Sequence, residues 1–271
     1  MIIDIHDDFD PYKICMSGQC FRASRLSDGR FRFIQGDRAL TLVPRRNESY
    51  ESDCSQPEWD ELWSFYFDLG RNYADIRKGV FEDDDFLTNA ALYGKGIRIL
   101  RQEPWEALIS FIISQRKSIP AIKTSIERLC RLCGKPFTCG GETLYAFPAP
   151  EAVLQLSDTE LQSCGLGYRV SYVRDAAAKV CGGFDLDGLR KLSDEELLCA
   201  LKTFNGVGDK VASCVSLFAY SRLDCAPVDV WIARVIQNRY GGVNPFVRYA
   251  HNSGVYQQYM FYYAQQTKLP S

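Results

Sequence analysis

The stretch "LKTFNGVGDKVASCVSLF", residues 201–218, decides the fold because a glycine-bounded turn separates two apolar patterns of helical spacing. Gly206 and Gly208 supply the conformational freedom that a tight turn requires. A capping box at residues 193–196 opens the first of the two helical patterns. The sequence therefore predicts a helix, a tight Asn-Gly-Val-Gly hairpin and a second helix over residues 193–220.

Two interpretations of this hairpin stay open on its residues alone. The backbone N–H groups at the start of the second helix lack partners within that helix, so they can hold an anion such as a phosphate. Glycines in this pattern are equally compatible with a plain turn. The stretch is not a phosphate-binding Walker loop, because the G-x4-G-K-[ST] signature is absent.

Lys210 and Asp229 each allow an ordinary and a chemical interpretation. Lys210 lies in the first turn of the predicted second helix, where its charge opposes the positive end of the helix dipole. It is either a solvated lysine that tolerates a small penalty or a desolvated, neutral amine that serves as a nucleophile. Asp229 precedes another apolar helical pattern and is expected to cap that helix. A capped carboxylate is also fixed well enough to stabilise developing positive charge.

Composition and charge restrict the class of protein without indicating a partner. The 271 residues carry a net charge of −2 and a sequence pI of about 5.8, which gives no general preference for nucleic acid. No apolar run approaches the roughly 18 residues that a membrane span needs. The N-terminal stretch does not resemble a signal peptide, so we expect a cytoplasmic protein with no membrane partner.

The eleven cysteines are expected to be reduced, because they are scattered through a long chain without an export signal. Cys130, Cys133 and Cys139 reproduce part of an iron–sulfur signature, but the fourth ligand is missing. With only two histidines in the chain, a histidine-based zinc site is also disfavoured. We therefore expect no metal centre.

The order of patterns along the chain predicts an α+β fold. Residues 30–43 alternate apolar and polar side chains about a Gly-Asp turn, which is typical of a β-hairpin. An aromatic helix is expected around "WDELWSFYFDL", and helical patterns dominate after the acidic run at 82–85. We accordingly place an N-terminal mixed domain with an antiparallel sheet at residues 1–85 and a mostly helical domain at residues 86–271.

Several motifs together resemble the 8-oxoguanine DNA glycosylase/lyase family of helix–hairpin–helix DNA glycosylases, and they cover nearly the whole chain. The central one is "FNGVGDKVASC…PVDVWIARV". The others are "SGQCFR" at 17–22, "GIRILRQEPWEALISFIISQ" at 96–115, "GLGYR" at 165–169 and "QQYMF" at 257–261. Several motifs at family spacing are far more specific than one glycine hairpin. The chain thus resembles a bacterial member of that family.

The resemblance implies a bifunctional enzyme that excises 8-oxoguanine from duplex DNA and then cleaves the strand by β-elimination. A stacked base must be flipped out before its glycosidic bond can be reached. By this resemblance, the neutral amine of Lys210 attacks the sugar C1′ and forms a Schiff base, and Asp229 stabilises the oxocarbenium-like transition state. No cofactor is expected for catalysis, while a structural monovalent or divalent cation at the hairpin is left open.

The resemblance also implies a base pocket and a DNA-binding surface. Cys214 and Phe261 are expected to sandwich the extruded base, and Gln257 to contact its Watson–Crick edge. The Gly18 carbonyl is expected to accept the N7–H that 8-oxoguanine carries, since guanine has a lone pair at N7. Without the family context, a core role for Phe261 and Cys214 would be the more ordinary interpretation.

The expected DNA contacts are Gly206, Val207, Gly208, Arg116, Tyr168 and Arg169. The expected partner is double-stranded DNA containing 8-oxoguanine, bound by a monomer.

Two departures from the family pattern concern the DNA strand opposite the lesion. Arg116 stands where the family has an asparagine that fills the gap left by the extruded base. Ala121 replaces an arginine that contacts the opposite cytosine. We therefore expect only a weak preference for cytosine opposite the lesion.

Two other functions are kept as alternatives. A non-catalytic helix–hairpin–helix DNA-binding module would account for the glycines but not for Lys210 together with Asp229. A monofunctional alkyl-base DNA glycosylase would share the fold and the aspartate but lack a nucleophilic lysine. Lys210 is therefore the residue that separates these functions.

Overall fold

The computed structural model describes residues 1–267, which begin with a five-stranded antiparallel sheet. Its strands are β1 (Ile2–Asp4), β2 (Ala23–Arg25), β3 (Phe31–Gln35), β4 (Arg38–Pro44) and β5 (Ser49–Ser52). They lie in the spatial order β1-β5-β4-β3-β2, and every neighbouring pair is antiparallel. The first strand therefore pairs with the last, and the other strands follow one another as hairpins.

The hairpin predicted for residues 30–43 is confirmed as β3 and β4. Phe33 lies opposite Leu40, and both side chains are fully buried. Gly36 lies in the connecting turn with a φ of 59°, a conformation that favours glycine. The Phe33 ring packs edge-on against the Phe67 ring with their centroids 4.9 Å apart, so the apolar face of the sheet is covered by the segment that follows it.

The remainder of the described chain is mostly helical, which confirms the predicted α+β class. Its helices are α1 (Pro11–Met16), α2 (Gln56–Glu58), α3 (Ser64–Tyr66), α4 (Tyr73–Lys78), α5 (Asp85–Tyr93), α6 (Pro104–Ser114), α7 (Ile119–Cys133), α8 (Pro150–Leu154), α9 (Asp158–Ser163), α10 (Val170–Cys181), α11 (Asp194–Leu201), α12 (Asp209–Tyr220), α13 (Val230–Arg239) and α14 (Ser253–Gln266). A π-helical turn (Trp59–Trp63) joins α2 to α3, so the predicted aromatic helix is present with one widened turn. A two-stranded hairpin of β6 (Pro136–Cys139) and β7 (Glu142–Tyr145) interrupts the helices.

The helix–hairpin–helix predicted for residues 193–220 is confirmed as α11, a short turn and α12. Ser193 begins α11 with a complete capping box: its hydroxyl accepts the Glu196 N–H, and the Glu196 carboxylate accepts the Ser193 N–H at 2.9 Å. The same reciprocal pair of bonds opens α9 at Ser157 and Glu160. Local sequence thus determines where these helices begin.

The described residues form two hydrophobic cores. The smaller core lies under the sheet and consists of residues between positions 3 and 67, joined by Leu100 from further along the chain. The larger core lies among the helices and receives Phe21 and Tyr73 from the N-terminal part. Each core therefore includes side chains from the other side of the predicted boundary between residues 85 and 86. The division into two domains at that boundary stays a prediction.

Arg98 is fully buried between the two cores and fastens an extended segment, residues 97–102, to the N-terminal part. One of its nitrogens donates to the Asp7 carboxylate at 2.9 Å. The guanidinium also donates to the backbone carbonyls of Asp7, Asp8, Phe67, Asp68 and Arg71. Its face lies 4.2 Å from the centroid of the Tyr73 ring. A buried charge with this many partners holds the surrounding backbone in one arrangement.

Gln19 uses the same extended segment to fix the loop that contains Gly18. The Gln19 side-chain amide donates to the Arg98 carbonyl at 2.9 Å, and its oxygen accepts the Leu100 N–H at 2.8 Å. The Gln102 amide donates in return to the Gln19 backbone carbonyl at 2.7 Å. Because all these groups are buried, the backbone beside Gly18 is held by a saturated hydrogen-bond network.

A buried ion pair connects the N-terminal segment to α6. Arg22 Nη1 lies 3.6 Å from Glu106 Oε2, and both side chains are nearly inaccessible. Burial raises the pKa of Glu106 from 4.5 to about 7, although the Arg22 charge opposes that shift. Arg22 also donates to the Tyr145 carbonyl of β7, so one guanidinium joins three elements.

We expect Glu106→Gln to remove a pH-dependent part of the stability. The carboxyl binds its proton more tightly in the folded chain than in the unfolded chain, so its contribution is complete below pH 4.5 and is lost as the pH rises through about 7. Relative to the variant, the natural protein should lose about 1–3 kcal/mol of unfolding free energy between roughly pH 5 and pH 8. Urea unfolding across this range measures the difference, and parallel pH profiles would contradict the prediction.

Candidate active site and nucleic-acid interface

An open cleft of about 1080 Å³ forms where the Gly18 loop, the α6–α7 loop, the α11–α12 hairpin, the start of α13 and one face of α14 meet. The sequence-predicted residues that line it are Gly18, Arg116, Gly206, Gly208, Lys210, Asp229 and Phe261. These residues are spread over nearly the whole chain. Their convergence on one concave surface makes this cleft the candidate site.

Only Gly206 needs the conformational freedom that the sequence predicts for both hairpin glycines, and the prediction is wrong for Gly208. Gly206 has a φ of 79°, and a Cβ atom built there would overlap the Tyr172 ring. Gly208 has an extended backbone that any residue adopts, and a Cβ atom there would meet nothing within 4 Å. Val207 buries its side chain, and its N–H donates to the Phe204 carbonyl at 3.1 Å. Gly206 thus shapes the hairpin, whereas Gly208 leaves open space in front of the first turn of α12.

Lys210 is half-buried and lies over an aromatic floor. Its Nζ is 5.5 Å from the centroid of the Phe111 ring. Phe111 is stacked on Phe218 with centroids 5.4 Å apart, and it meets Phe21 edge-on at 5.6 Å. The floor keeps water from one side of the amine, while the other side faces the cleft.

Asp229 caps α13, as the sequence predicts. Its Oδ1 accepts the Ile232 N–H at 2.9 Å, which fixes the carboxylate at the wall of the cleft. Burial raises the pKa of Asp229 above its usual range, while the bond from Ile232 and the charge of Lys210 oppose the shift. The carboxylate and the amine therefore face the same space.

Gly18 and Phe261 form a second wall of the cleft. Gly18 has a φ of 73°, and a Cβ atom there would lie 3.1 Å from Phe261 Cε1 and 3.3 Å from Ile119 Cδ1. Both the backbone conformation and the lack of space therefore favour glycine. The close approach places the Gly18 backbone beside the edge of the Phe261 ring.

Cys214 and Gln257 lie behind the cleft wall and are buried. Cys214 is one turn beyond Lys210 on α12, and burial raises the pKa of its thiol, with the Lys210 ammonium opposing part of the shift. Gln257 is one turn before Phe261 on α14, and its oxygen accepts a bond from the Gln258 amide at 3.1 Å. The sandwich of a base between Cys214 and Phe261 stays a prediction, as does the contact from Gln257.

The three remaining expected DNA contacts lie on two neighbouring loops. Arg116 is exposed at the cleft with a φ of 50°. Arg169 is buried, and it donates to the carbonyls of Leu166, at 3.0 Å, and Gln115. Its guanidinium lies 4.3 Å from the centroid of the Tyr168 ring, which is half-exposed. Arg116 and Tyr168 are thus presented to solvent, whereas Arg169 is enclosed by the loops.

Several residues that line or support the cleft were not predicted from the sequence. Gln265 follows Phe261 by one helical turn, so helical spacing alone indicates that both lie on the same face of α14. Gln19 and Arg98 act through the backbone beside Gly18, and sequence periodicity carries no signal for buried polar contacts of this kind.

Two further observations concern metals and membranes. Within residues 1–267, no group of three or more His, Cys, Asp or Glu side chains is arranged to hold a metal ion, and this includes Cys130, Cys133 and Cys139. Over the same residues, none of the helices has the length and apolar character needed to cross a membrane.

Comparison with known proteins identifies a shared family. A family described as "8-oxoguanine DNA glycosylase, N-terminal domain" matches residues 2–108, and one described as "HhH-GPD superfamily base excision DNA repair protein" matches residues 109–247. A probable N-glycosylase/DNA lyase of Methanothermobacter thermautotrophicus is 30% identical over 249 residues, which is 80% of this chain and 78% of the relative. An N-glycosylase/DNA lyase of Arabidopsis thaliana is 28% identical over 82% of this chain and 64% of its own length.

A solved structure extends the similarity to the whole fold. The 8-oxoguanine glycosylase/lyase of Clostridium acetobutylicum, in complex with double-stranded DNA containing cytosine opposite 8-oxoguanine, has a TM-score of 0.93 and 32% identity. The match covers 99% of this chain and 96% of that protein.

The hairpin glycines provide a matched pair of variants. Gly206→Ala should lower the free energy of unfolding by about 1–3 kcal/mol, because alanine is strained at a positive φ and its Cβ displaces Tyr172. Gly208→Ala should leave stability within about 0.5 kcal/mol, because the position is open and extended. Urea unfolding of both variants measures the change in the free energy of unfolding. Equal destabilisation would show that the two glycines do not have these separate roles.

Proposed function

The chain belongs to the 8-oxoguanine DNA glycosylase/lyase family within the helix–hairpin–helix base-excision repair superfamily, and we propose that Lys210 and Asp229 carry out its chemistry in the cleft. The observation that carries this proposal is the position of the two groups. An amine over an apolar floor and a carboxylate fixed by a helix cap face one space large enough for an extruded nucleotide.

In the proposed reaction, Lys210 attacks as a neutral amine. Its nitrogen bonds to C1′ of the extruded nucleotide while the C1′–N9 bond breaks, and the electrons of that bond leave with the base. The attacking nitrogen loses a proton and the departing base gains one. The nitrogen lone pair then forms the C1′=N bond of a protonated Schiff base as the C1′–O4′ bond breaks, and O4′ takes up a proton from water. Removal of a C2′ proton then expels the 3′ phosphate by cleavage of the C3′–O bond. Arginine cannot replace lysine here because its guanidinium stays protonated.

Asp229 is proposed to stabilise the positive charge that develops on the sugar. The carboxylate need not reorganise during the reaction, because the Ile232 N–H already fixes it. Its partial burial strengthens the interaction with a nearby cation relative to water. Asp229 is also proposed as the base that accepts the proton which the attacking Lys210 nitrogen loses.

The lesion is proposed to enter between the Phe261 face and the α12 side of the cleft. Phe261 offers an aromatic surface for stacking, and the Gly18 carbonyl offers an acceptor for N7–H. Cys214 is proposed to close the far side and Gln257 to contact the base edge. The hairpin around Gly208 would hold a DNA phosphate with the first-turn N–H groups of α12, whose helix dipole favours an anion.

The proposed enzyme acts without a cofactor, as a monomer in the cytoplasm, on double-stranded DNA containing 8-oxoguanine. One chain supplies all the residues that the proposed reaction uses, which supports the monomer. An alkyl-base glycosylase without lyase activity would not require Lys210 over the aromatic floor. A non-catalytic DNA-binding module would require neither that amine nor the fixed carboxylate.

Lys210→Gln tests the nucleophile. We expect this variant to bind lesion-containing duplex but to lose excision, and borohydride should trap no covalent adduct, because an amide cannot form a Schiff base. Trapping on a duplex with one 8-oxoguanine measures the outcome. Lys78→Gln is a matched control, because Lys78 pairs with Asp75 on α4 away from the cleft. Undiminished trapping by Lys210→Gln would refute the assignment.

Asp229→Asn tests whether Asp229 acts through its negative charge or only as the cap of α13. Asparagine caps helices as well as aspartate does, so the melting temperature should hardly change. Base release should slow by a factor of about 10² or more, the scale of removing one preorganised electrostatic group. Single-turnover excision measures the rate, with Asp185→Asn as a control in an exposed turn. A normal rate would reduce Asp229 to a helix cap.

A further inference from the structure

Two hydrogen bonds join the α6–α7 loop to the loop that precedes α10, and each loop donates one of them. Lys117 of the first loop donates from Nζ to the Gly165 carbonyl of the second at 2.6 Å. Arg169 of the second loop donates to the Gln115 carbonyl of the first. Gln115 and Lys117 are the two sequence neighbours of Arg116, so Arg169 binds the backbone just before that residue and the side chain just after it binds the second loop.

Arg116 needs such support because its backbone is strained. Its φ of 50° lies in the left-handed region, where the Cβ of an ordinary residue crowds the backbone and where asparagine or glycine is favoured. Its side chain is exposed at the cleft. An arginine in this conformation would relax to a common one unless the adjacent backbone were held.

Lys117 is anchored more firmly than a surface lysine. A second bond from its Nζ reaches the Ser125 hydroxyl on α7 at 2.6 Å. Burial lowers the pKa of Lys117, and the charges of Arg169 and Arg128 lower it further. The ion pairs found within residues 1–267 include none to Lys117, so attraction to a carboxylate does not explain its position. Its hydrogen bonds to the Gly165 carbonyl and the Ser125 hydroxyl explain that position.

We propose that Lys117 is a positioning residue which, together with Arg169, holds Arg116 ready to enter the DNA stack in place of the extruded base. This inference rests on the proposed function. Extruding a base breaks its stacking and pairing, and a side chain that fills the gap offsets part of that cost. If the loop is already ordered, Arg116 fills the gap without a further entropy cost on DNA binding. A loop without these hydrogen bonds would have to become ordered each time DNA binds.

The test uses Lys117→Met, Lys117→Arg and a matched control, Lys123→Met. Lys123 lies on α7 and also donates to a backbone carbonyl, that of Ala23 at 2.6 Å, but it does not line the cleft. Single-turnover excision of 8-oxoguanine from duplex DNA is compared with cleavage at a preformed abasic site, which has no base to extrude. We expect Lys117→Met to slow excision at least about tenfold and to change abasic-site cleavage less than about twofold. Lys117→Arg should restore most of the rate, and Lys123→Met should excise normally.

A fluorescence measurement distinguishes extrusion from general loss of structure. With Lys210→Gln as the background, 2-aminopurine beside the lesion should brighten on binding, and adding Lys117→Met should reduce the change. Normal excision by Lys117→Met would overturn the proposal, as would equal loss of excision and abasic-site cleavage. Failure of the natural protein to form a borohydride adduct at an abasic site would instead refute the proposed function.

Discussion

The structure depends on the buried guanidinium of Arg98. Its bonds to the carbonyls of the Phe67–Arg71 turn and to Asp7 fix an extended segment between the two cores. That segment in turn holds Gln19, and Gln19 holds the backbone beside Gly18. Because a buried guanidinium is costly unless hydrogen bonds satisfy it, this network favours one arrangement of the N-terminal part against the helices. The wall of the cleft opposite Lys210 is a consequence of that arrangement.

The two groups that we propose as reactive lie where two helices begin, and the helix dipole acts on them in opposite ways. Lys210 is in the first turn of α12, where the helix dipole disfavours a positive charge, and Asp229 caps α13, where N–H groups favour a negative one. Helix starts also fix the backbone of both residues without any contribution from a ligand. The fold thereby presents an amine and a carboxylate to one space before any DNA is bound, which is the preorganisation that catalysis requires.

Much of the fold and part of the site were predictable because their signals are local. The capping boxes at Ser193 and Ser157, the alternation in β3 and β4 and the Asp229 cap depend on residues within a few positions of one another. The family resemblance added Gly18 and Phe261, which the structure places side by side although the chain separates them widely. Gln19, Arg98 and the Lys117–Gly165 bond were not predicted, because each is a polar contact between distant segments and leaves no periodic trace in the sequence.

The sequence by itself determined the helix–hairpin–helix, the helix starts and the Asp229 cap, because turn chemistry and capping act over a few bonds. Only the tertiary structure decided that Phe111 lies under Lys210, that Cys214 and Gln257 lie behind the cleft wall, and that Arg169 is enclosed while Arg116 is exposed. The position of a side chain relative to a distant segment depends on how the cores close together. That closure is a property of all the packed residues at once, and no single stretch of the chain encodes it.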